Sequence, residues 1–261
     1  MDGRPEWALS GLCTGAASGI GRATALALAA RGTSVMVGDI DVGGAEETVR
    51  MIQRRGGVAR AAVVDVSDPA QVERFVAEAV AAHGALDCAA NVAGTHDGLG
   101  ALTADVAVED FDRQIAVNLR GMWLCVRAEL RSMVERGSGS IVNVSSVSGL
   151  IGAEHGAPYA IAKHGILGLT KTAALEYATA GVRVNAVCPG LVDTPLTARS
   201  WTLIDPDQPE RVCEEALGMI PAGRMATADE VAGTIAWLCC DAPAYLTGAS
   251  IVIDGGFTVQ G

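Results

Sequence analysis

The sequence lacks cysteines and histidines at the spacing of metal ligands, has little basic charge and contains no long hydrophobic run. Its seven cysteines and four histidines show neither C-x-x-C nor H-x-x-H spacing, which predicts no metal site. The formal net charge of −11 at pH 7 argues against a nucleic-acid partner, because few cations are present to replace phosphate counterions. The chain has no run of about 18 apolar residues and no basic segment ahead of an apolar one. We therefore expect a cytoplasmic protein with no membrane contact.

Tyrosine and lysine are also scarce, so a motif that contains both is informative. The chain has three tyrosines and two lysines, whereas it has 17 arginines. Half of the 261 residues are apolar and 19% are charged, which predicts a sizeable buried core rather than disorder. This length fits one large α/β domain, and we expect a single domain over residues 1–261.

Brief apolar runs alternate with helical stretches in units of about 30 residues. The runs are continuous, as is typical of parallel strands that are covered on both faces. The expected fold is α/β, a Rossmann-type doubly wound parallel β-sheet with helices on both faces. After a first short strand near residue 9, strands are predicted at 33–39, 61–66, 86–94, 140–146, 182–190 and 250–254. Helices are predicted at 20–31, 69–83, about 109–135, after 158 and from 227 to about 240. The proline-rich stretch from 191 to about 224 is expected to be an irregular substrate loop.

A glycine-rich turn at residues 14–21 follows the first strand. Gly15, Gly19 and Gly21 would let the backbone approach a pyrophosphate, whose charge the N-terminus of the next helix would meet. Three glycines at these offsets arise by chance about 0.5 times here, so a plain tight turn is an alternative. Asp39 ends the next strand, where a carboxylate accepts hydrogen bonds from ribose hydroxyls and repels a 2′-phosphate. This favours NAD over NADP, unless Asp39 is only a turn residue before Asp41.

The segment Tyr-Ala-Ile-Ala-Lys at residues 159–163 carries the strongest chemical signal. Residues four apart share one face of a helix, so Tyr159 and Lys163 are expected to lie side by side. With so few tyrosines and lysines, this pair is expected by chance only about 0.02 times. A lysine in a chain that otherwise uses arginine suggests a task for a compact point charge.

With these residues the chain resembles the short-chain dehydrogenase/reductase family over nearly its whole length. The matching positions are Thr14, Gly15, Gly19, Ile20, Gly21, Asp65, Val66, Asn91, Val92, Ala93, Gly94, Asn118, Ser146, Tyr159, Lys163, Pro189, Gly190 and Thr194. Two departures stand out. Val92 replaces a frequent asparagine, and Ser10-Gly11 interrupt the first strand, which predicts a softer or shorter strand but an intact site.

The resemblance implies a catalytic tetrad of Asn118, Ser146, Tyr159 and Lys163. Tyr159 is the expected acid/base. Lys163 and the positive nicotinamide ring are expected to lower its pKa from about 10, and Lys163 is also expected to hold the nicotinamide ribose. Ser146 is expected to hydrogen-bond the substrate oxygen, and Asn118 to hold a water that relays protons. For Asn118 a plain helix-surface amide is the alternative.

The resemblance also implies a set of contacts to NAD. Asp65 is expected at the adenine, residues 91–94 at the adenosine ribose, and Val192 with Thr194 at the nicotinamide carboxamide. The full expected set is Gly15, Ser18, Gly19, Ile20, Asp39, Asp65, Val66, Asn91, Ala93, Gly94, Tyr159, Lys163, Pro189, Gly190, Val192 and Thr194. These positions agree with the rule that ligands bind beyond the carboxyl ends of parallel strands.

The expected activity is hydride transfer between NAD and a small, largely apolar secondary alcohol or ketone, such as a cyclic alcohol or diol. Expected substrate contacts are His96, Ser146, His155 and Tyr159, although His155 is also explained as a solvated loop residue. One alternative is a 3-oxoacyl reductase of the same fold acting on carrier-protein or coenzyme A substrates. Another is a non-catalytic dinucleotide-binding scaffold.

The family assembles as dimers and tetramers, so a homo-oligomer is expected. Its contacts would come from the helices that carry Asn118 and Tyr159. The apolar residues Ile166, Leu167, Leu169 and Leu175 are compatible with such an interface, and a monomer core explains some of them equally well.

Overall fold

One parallel sheet forms the centre of the computed structural model, which describes residues 9–260. Its strands are β1 Ser10–Thr14, β2 Ser34–Asp39, β3 Ala59–Val63, β4 Cys88–Asn91, β5 Gly139–Val144, β6 Val182–Pro189 and β7 Ser250–Ile253. They lie in the order β3-β2-β1-β4-β5-β6-β7, and every neighbouring pair is parallel. The Rossmann-type sheet is therefore confirmed. The predicted domain also includes residues 1–8 and 261, which lie outside the described residues.

Helices cover both faces of this sheet. They are α1 Gly19–Ala30, α2 Val42–Arg54, α3 Pro69–His83, α4 Val108–Gln114, α5 Met122–Arg136, α6 Ala157–Tyr177, α7 Pro195–Ile204, α8 Pro209–Gly218 and α9 Ala228–Cys240. The helix ends follow local sequence signals. The Asp68 carboxylate caps α3, and Thr227 forms a reciprocal capping box with Glu230 at the start of α9.

The core has two layers because successive strand residues point to opposite faces of the sheet. Leu12 and Met36 pack in the layer beneath α3 and α5, together with Phe75 and Leu124. Their neighbours Cys13, Val35 and Val37 pack in the other layer with residues of α1, α2 and α9. This two-sided burial explains why the strands are apolar throughout rather than alternating.

Strand β1 is not shortened by Ser10 and Gly11, so that expectation is wrong. All five of its residues are buried, and it pairs with β2 on one side and β4 on the other. The Ser10 amide donates to the Asp87 carboxylate at 2.8 Å. A Cβ on Gly11 would lie 2.6 Å from Cys88 Sγ, so glycine is needed for strand packing. The predicted softness of this strand is a dynamic property and stays a prediction.

The stretch 191–224 is not an irregular loop, because it contains α7 and α8. The backbone amide of Thr197 donates to Thr194 Oγ1 at 3.3 Å, and Pro195 takes the first helical position. Pro209 opens α8 in the same way. Two of the four prolines thus begin helices, where a missing amide hydrogen costs nothing, rather than breaking them.

Candidate active site

The site lies where the strand order reverses between β1 and β4. The chain turns outward from β1 towards β3 and then returns to β4, which leaves a crevice at the carboxyl ends of the two central strands. Thr14 Oγ1 joins the turns after these strands by accepting the amides of Val92 and Ala93 at 3.1 and 3.3 Å. A Cβ on Gly15 would lie 2.7 Å from Ala93 Cα, so the two turns form one continuous surface.

The N-terminus of α1 has the features of an anion site. Ser18 occupies the capping position and is exposed, yet its side chain caps no helix amide, and the first turn carries no acidic residue. Gly19 has a φ of +50°, and a Cβ there would lie 3.3 Å from Thr194 Cβ. A Cβ on Gly21 would lie 2.0 Å from Gly15 O, which only glycine tolerates. These free amides, facing Thr194 across a narrow gap, fit a dinucleotide diphosphate, with Ile20 in the same turn.

Asp39 connects β2 to the glycine-rich turn. Its carboxylate accepts the Ala17 amide at 2.8 Å and the Asp41 amide at 2.9 Å. Asp41, rather than Asp39, caps α2 by accepting the Gly44 amide at 3.1 Å. Within residues 9–260 no ion pair neutralises Asp39, so its negative charge remains at the place where an adenosine ribose would bind.

Asp65 and Val66, two of the expected adenosine contacts, differ in their exposure. Asp65 is partly exposed, and one of its carboxylate oxygens accepts the Ser67 amide and hydroxyl at 2.9 and 2.7 Å. Val66 is buried, and its side chain lies 2.9 Å from a Cβ built on Gly121. Asp65 therefore keeps an oxygen for a ligand, whereas Val66 has only its main chain to offer.

The side chain of Asn91 does not face the crevice, so only its main chain remains for the expected contact with the ribose. Its side chain is 1% exposed and lies inside the protein, where Nδ2 donates to Glu129 Oε2 at 2.9 Å and to Asn143 Oδ1 at 3.1 Å. Asn143 Nδ2 in turn donates to Thr170 Oγ1 at 3.0 Å. Asn91 thus holds β4 to its neighbours, and Ala93 and Gly94 are left to face the crevice.

Tyr159 and Lys163 lie in the first two turns of α6, on the face towards β5. Lys163 Nζ is 5.3 Å from the centre of the Tyr159 ring and donates to the Val144 carbonyl at 2.9 Å. The hydroxyl of Ser145 donates to the Lys163 carbonyl and is buried, so Ser145 is structural. Ser146 follows β5, and its hydroxyl lies close enough to the Tyr159 phenol to lower the pKa of that phenol. The spacing of Ser146 from Tyr159 therefore selects the serine that meets the phenol.

Burial governs the charge of this pair. Burial raises the pKa of Tyr159 to about 12, and the nearby Ser146 hydroxyl opposes this effect. Burial also lowers the pKa of Lys163 to about 8. The surrounding side chains by themselves therefore keep Tyr159 protonated at neutral pH, and the expected lowering of its pKa, which also involves the positive nicotinamide ring, stays a prediction. The reason for the protonated state is that both groups are removed from water and the Lys163 ammonium is engaged by a carbonyl rather than by the phenol.

Asn118 lies in a π-helix, Ile115–Gly121, that interrupts the predicted helix 109–135. Its side chain is 1% exposed, so the alternative of a helix-surface amide is wrong. Oδ1 accepts the Thr95 amide and Nδ2 donates to the Thr95 carbonyl, both at 2.8 Å. Oδ1 also lies 3.0 Å from a Cβ built on Gly94. The widened helix thus places Asn118 against the turn that follows β4.

Of the two candidate substrate histidines, only His96 contacts Tyr159. Its ring meets the Tyr159 ring at 89°, with centres 4.5 Å apart, and Nδ1 hydrogen-bonds Ser200 Oγ on α7. Burial lowers the pKa of His96 to about 4, and the Lys163 charge adds to this effect. The exposed His155 ring lies 3.6 Å from Glu154, in a left-handed turn before α6. No local pattern in the sequence singles out Ser200.

The turn after β6 closes the crevice on the side of α7. The Gly190 amide donates to the Ile253 carbonyl at 2.9 Å, and a Cβ on Gly190 would lie 3.0 Å from Asp254 Cα. Pro189 ends β6, and Val192 is buried where it bridges to Ala226. Thr194 follows at the start of α7, opposite Gly19.

Two negative findings apply to residues 9–260. No group of three or more histidine, cysteine, aspartate or glutamate side chains is arranged to hold a metal ion there. In the same part of the chain, no helix is long and apolar enough to cross a membrane.

The chain is similar to curated oxidoreductases along nearly all of its length. It is 38% identical over 247 residues to levodione reductase of Leifsonia aquatica, and the alignment covers 94% of this chain and 92% of that protein. It is 39% identical over 247 residues to cyclohexanol dehydrogenase of Acinetobacter sp. strain SE19, and that alignment covers 95% of this chain and 94% of the relative. It is 40% identical over 249 residues to the 3-oxoacyl-acyl-carrier-protein reductase of Thermotoga maritima, covering 95% and 97%.

Solved structures and a family model agree with these relatives. The levodione reductase crystal structure superposes with a TM-score of 0.93 at 36% identity, covering 96% of this chain and 98% of that one. Actinorhodin polyketide ketoreductase with NADPH superposes with a TM-score of 0.90 at 34% identity, covering 96% and 97%. A family model described as enoyl-(acyl carrier protein) reductase matches residues 15–258. With the sheet order, the glycine-rich turn and the Tyr159–Lys163 pair in place, the chain belongs to the short-chain dehydrogenase/reductase family of oxidoreductases.

Proposed function

We propose that the protein is a cytoplasmic NAD-dependent alcohol dehydrogenase or ketone reductase that acts on small cyclic secondary alcohols, diols or the matching ketones. The observation that carries this proposal is the meeting of Ser146, Tyr159 and His96 beside the uncapped N-terminus of α1. The similarity to levodione reductase and cyclohexanol dehydrogenase supports a cyclic substrate. Enzymes of this family use a nicotinamide dinucleotide, which supplies a hydride acceptor or donor when bound.

The residues present fit an acid–base role at the substrate oxygen. During oxidation, Tyr159 Oη takes the hydroxyl proton while the carbinol carbon loses its hydride, and Ser146 donates a hydrogen bond to the same oxygen. During ketone reduction, Tyr159 returns that proton to the carbonyl oxygen. Lys163 would pass the proton onward to a water held by Asn118, which would relay it to solvent.

NAD is proposed over NADP because of Asp39. Its carboxylate stays unneutralised at the end of β2, and the exposed capping residue of α1 is the uncharged Ser18. A 2′-phosphate would meet a like charge there, and the neighbouring Arg22 guanidinium is already engaged by Thr48 Oγ1 and the Ala17 carbonyl. A ribose hydroxyl would instead donate a hydrogen bond to the carboxylate.

A second candidate is a 3-oxoacyl reductase, which the 40% identical Thermotoga maritima relative favours. The two functions separate in one experiment. Purified protein is screened with NAD and NADP against cyclohexanol and cyclohexanediols, and with NADH and NADPH against an acetoacetyl thioester, following absorbance of the reduced cofactor. We expect NAD-dependent oxidation of the cyclic alcohols. Turnover of the thioester with NADPH alone would contradict the proposal.

We also propose a homo-oligomer, formed through α5 and α6. Ile166 and Leu167 are buried within the chain, so a monomer core explains these two of the predicted interface residues. Leu175 is 83% exposed and Ile161 is 49% exposed, which leaves an apolar surface on α6. We expect Leu175→Glu to shift sedimentation towards the monomer, whereas a wild-type protein that sediments as a monomer would contradict the proposal.

A further inference from the structure

We propose that the preferred substrate carries a second hydroxyl group, which donates a hydrogen bond to Nε2 of His96. The inference rests on the proposed function, because it concerns the same site. It assigns a substrate class, a diol, and gives His96 the role of distinguishing that class from simple alcohols.

The hydrogen-bond partners of Ser200 determine which nitrogen of His96 carries the proton. Ser200 Oγ lies 2.9 Å from the Leu196 carbonyl, one turn back in α7, and donates to it. A hydroxyl has a single hydrogen, so the contact between Ser200 Oγ and His96 Nδ1 is satisfied only when Nδ1–H donates. His96 is therefore the Nδ1-protonated tautomer.

The ring also stays neutral, which leaves Nε2 as an acceptor. Burial, Lys163 and Arg199 lower the pKa of His96 to about 4, and the nearby Asp97 carboxylate only partly opposes them. Among residues 9–260, no side chain or backbone group hydrogen-bonds His96 Nε2. A neutral imidazole with Nδ1 protonated presents a lone pair at Nε2, which binds a hydroxyl and gains nothing from an ether or a ketone.

The position of His96 places this acceptor within reach of a substrate. The ring centre is 4.5 Å from that of Tyr159, so a small molecule whose oxygen meets Tyr159 also lies against the His96 ring. The ring is held from behind by α7. A Cβ on Gly100 would lie 3.0 Å from the Leu203 carbonyl, so the backbone after His96 packs directly on that helix. The acceptor is therefore pre-organised rather than mobile.

Steady-state kinetics with matched substrates test the proposal. The substrates are cyclohexanol, cyclohexane-1,2-diol, cyclohexane-1,4-diol and the methyl ethers of both diols. We expect at least one diol to exceed cyclohexanol in kcat/KM by about 5- to 10-fold, and its methyl ether to lose that advantage. His96→Phe keeps the ring packing on Tyr159 but removes the acceptor, so the ratio should fall to about 1. His164→Phe, at an exposed position of α6, is the control and should keep the ratio.

A binding measurement separates this proposal from the proposed function. In ¹⁵N-labelled protein, the resonances missing from His96→Phe identify His96, and we expect the pattern of a protonated Nδ1 and a bare Nε2. Addition of the preferred diol should shift the Nε2 resonance, whereas cyclohexanol should not. A protonated Nε2, equal shifts with both alcohols, or an unchanged diol ratio in His96→Phe would overturn the proposal. Absence of any alcohol turnover with wild-type protein would instead overturn the proposed function.

Discussion

At the residue scale, desolvation is the main influence on the ionisable side chains around Tyr159. It raises the pKa of Tyr159 to about 12, and lowers the pKa of Lys163 to about 8 and that of His96 to about 4. All three shifts favour the neutral form, because transfer from water to a protein interior disfavours charge. The phenol is thus set to donate a proton, and oxidation needs its pKa to fall.

The direction of this shift predicts opposite pH profiles for the two reaction directions. Because oxidation uses the phenolate of Tyr159, its kcat/KM should rise with pH from 6 upward, by up to about tenfold per pH unit. Ketone reduction uses the phenol, so its kcat/KM should not rise with pH. Tyr159→Phe should reduce both rates by about 10²- to 10⁴-fold. Oxidation that is independent of pH in the wild-type enzyme would contradict the acid–base role of Tyr159.

Asp39 gives a prediction about cofactor choice. Asp39→Asn keeps an acceptor for the Ala17 amide but removes the negative charge at the ribose site. We expect the ratio of kcat/KM for NADP to that for NAD to rise by about 10- to 100-fold, because a charge repulsion is lost. Asp41→Asn, which changes only the cap of α2, is the matched control. An equal change of the ratio in both variants would rule out the assigned role.

At the element scale, the irregular segments of the chain are the ones that build the site. The π-helix turns Asn118 inward, and α7 brings Ser200 to His96. Strand β1 leads into the glycine-rich turn, and its own glycine is required by close packing against the neighbouring strand β4. In each case the element departs from its simplest form where it meets another element, as is common near functional sites.

Gly11 allows the packing of β1 on β4 to be tested directly. A methyl group at Gly11 would lie 2.6 Å from Cys88 Sγ and 3.2 Å from the Cys88 carbonyl, so Gly11→Ala should destabilise by about 1–3 kcal/mol. Gly168→Ala, in the exposed middle of α6 with no atom nearby, should be neutral or stabilising. The measurement is the free energy of unfolding in urea. If Cys88→Ala failed to relieve part of the Gly11→Ala penalty, the assigned contact would be wrong.

At the scale of the whole molecule, a buried polar network ties four elements together beneath the crevice. It runs from Glu129 on α5 through Asn91 on β4 and Asn143 on β5 to Thr170 on α6. Burial raises the pKa of Glu129 from 4.5 to about 8, while its hydrogen bond from Asn91 opposes this. The folded protein therefore holds a proton on Glu129 at neutral pH that the unfolded chain releases.

This proton predicts how stability depends on pH. The folded-state pKa of Glu129 is raised, so its contribution to the free energy of unfolding is fully present below about pH 4.5 and is lost as pH rises to about 8. Glu129→Gln removes this pH-dependent loss of stability. We expect the difference in unfolding free energy between variant and wild type to shift in favour of the variant by a few kcal/mol between pH 5 and 8. A difference that stays constant with pH would contradict a buried, protonated Glu129.

Features encoded by neighbouring residues were predicted well. The strand–helix alternation, the starts of α3 and α9 and the side-by-side placement of Tyr159 and Lys163 depend on spacing of four residues or fewer, or on continuous apolar runs. Thr194 and Pro195 carry the same local signals and mark the start of α7. Proline favours irregular structure and helix starts alike, so its presence in 191–224 does not by itself distinguish the two.

The sequence by itself determined the kind of sheet, the glycines that line its crevice and the placement of Tyr159 beside Lys163, because each follows from short-range geometry. Only the tertiary structure decided where polar side chains point. Asn91 faces Glu129 rather than a ribose, and His96 meets Ser200, which lies 104 residues away in the chain. Such pairings depend on how strands and helices are brought together, and burial then sets the charge of each group.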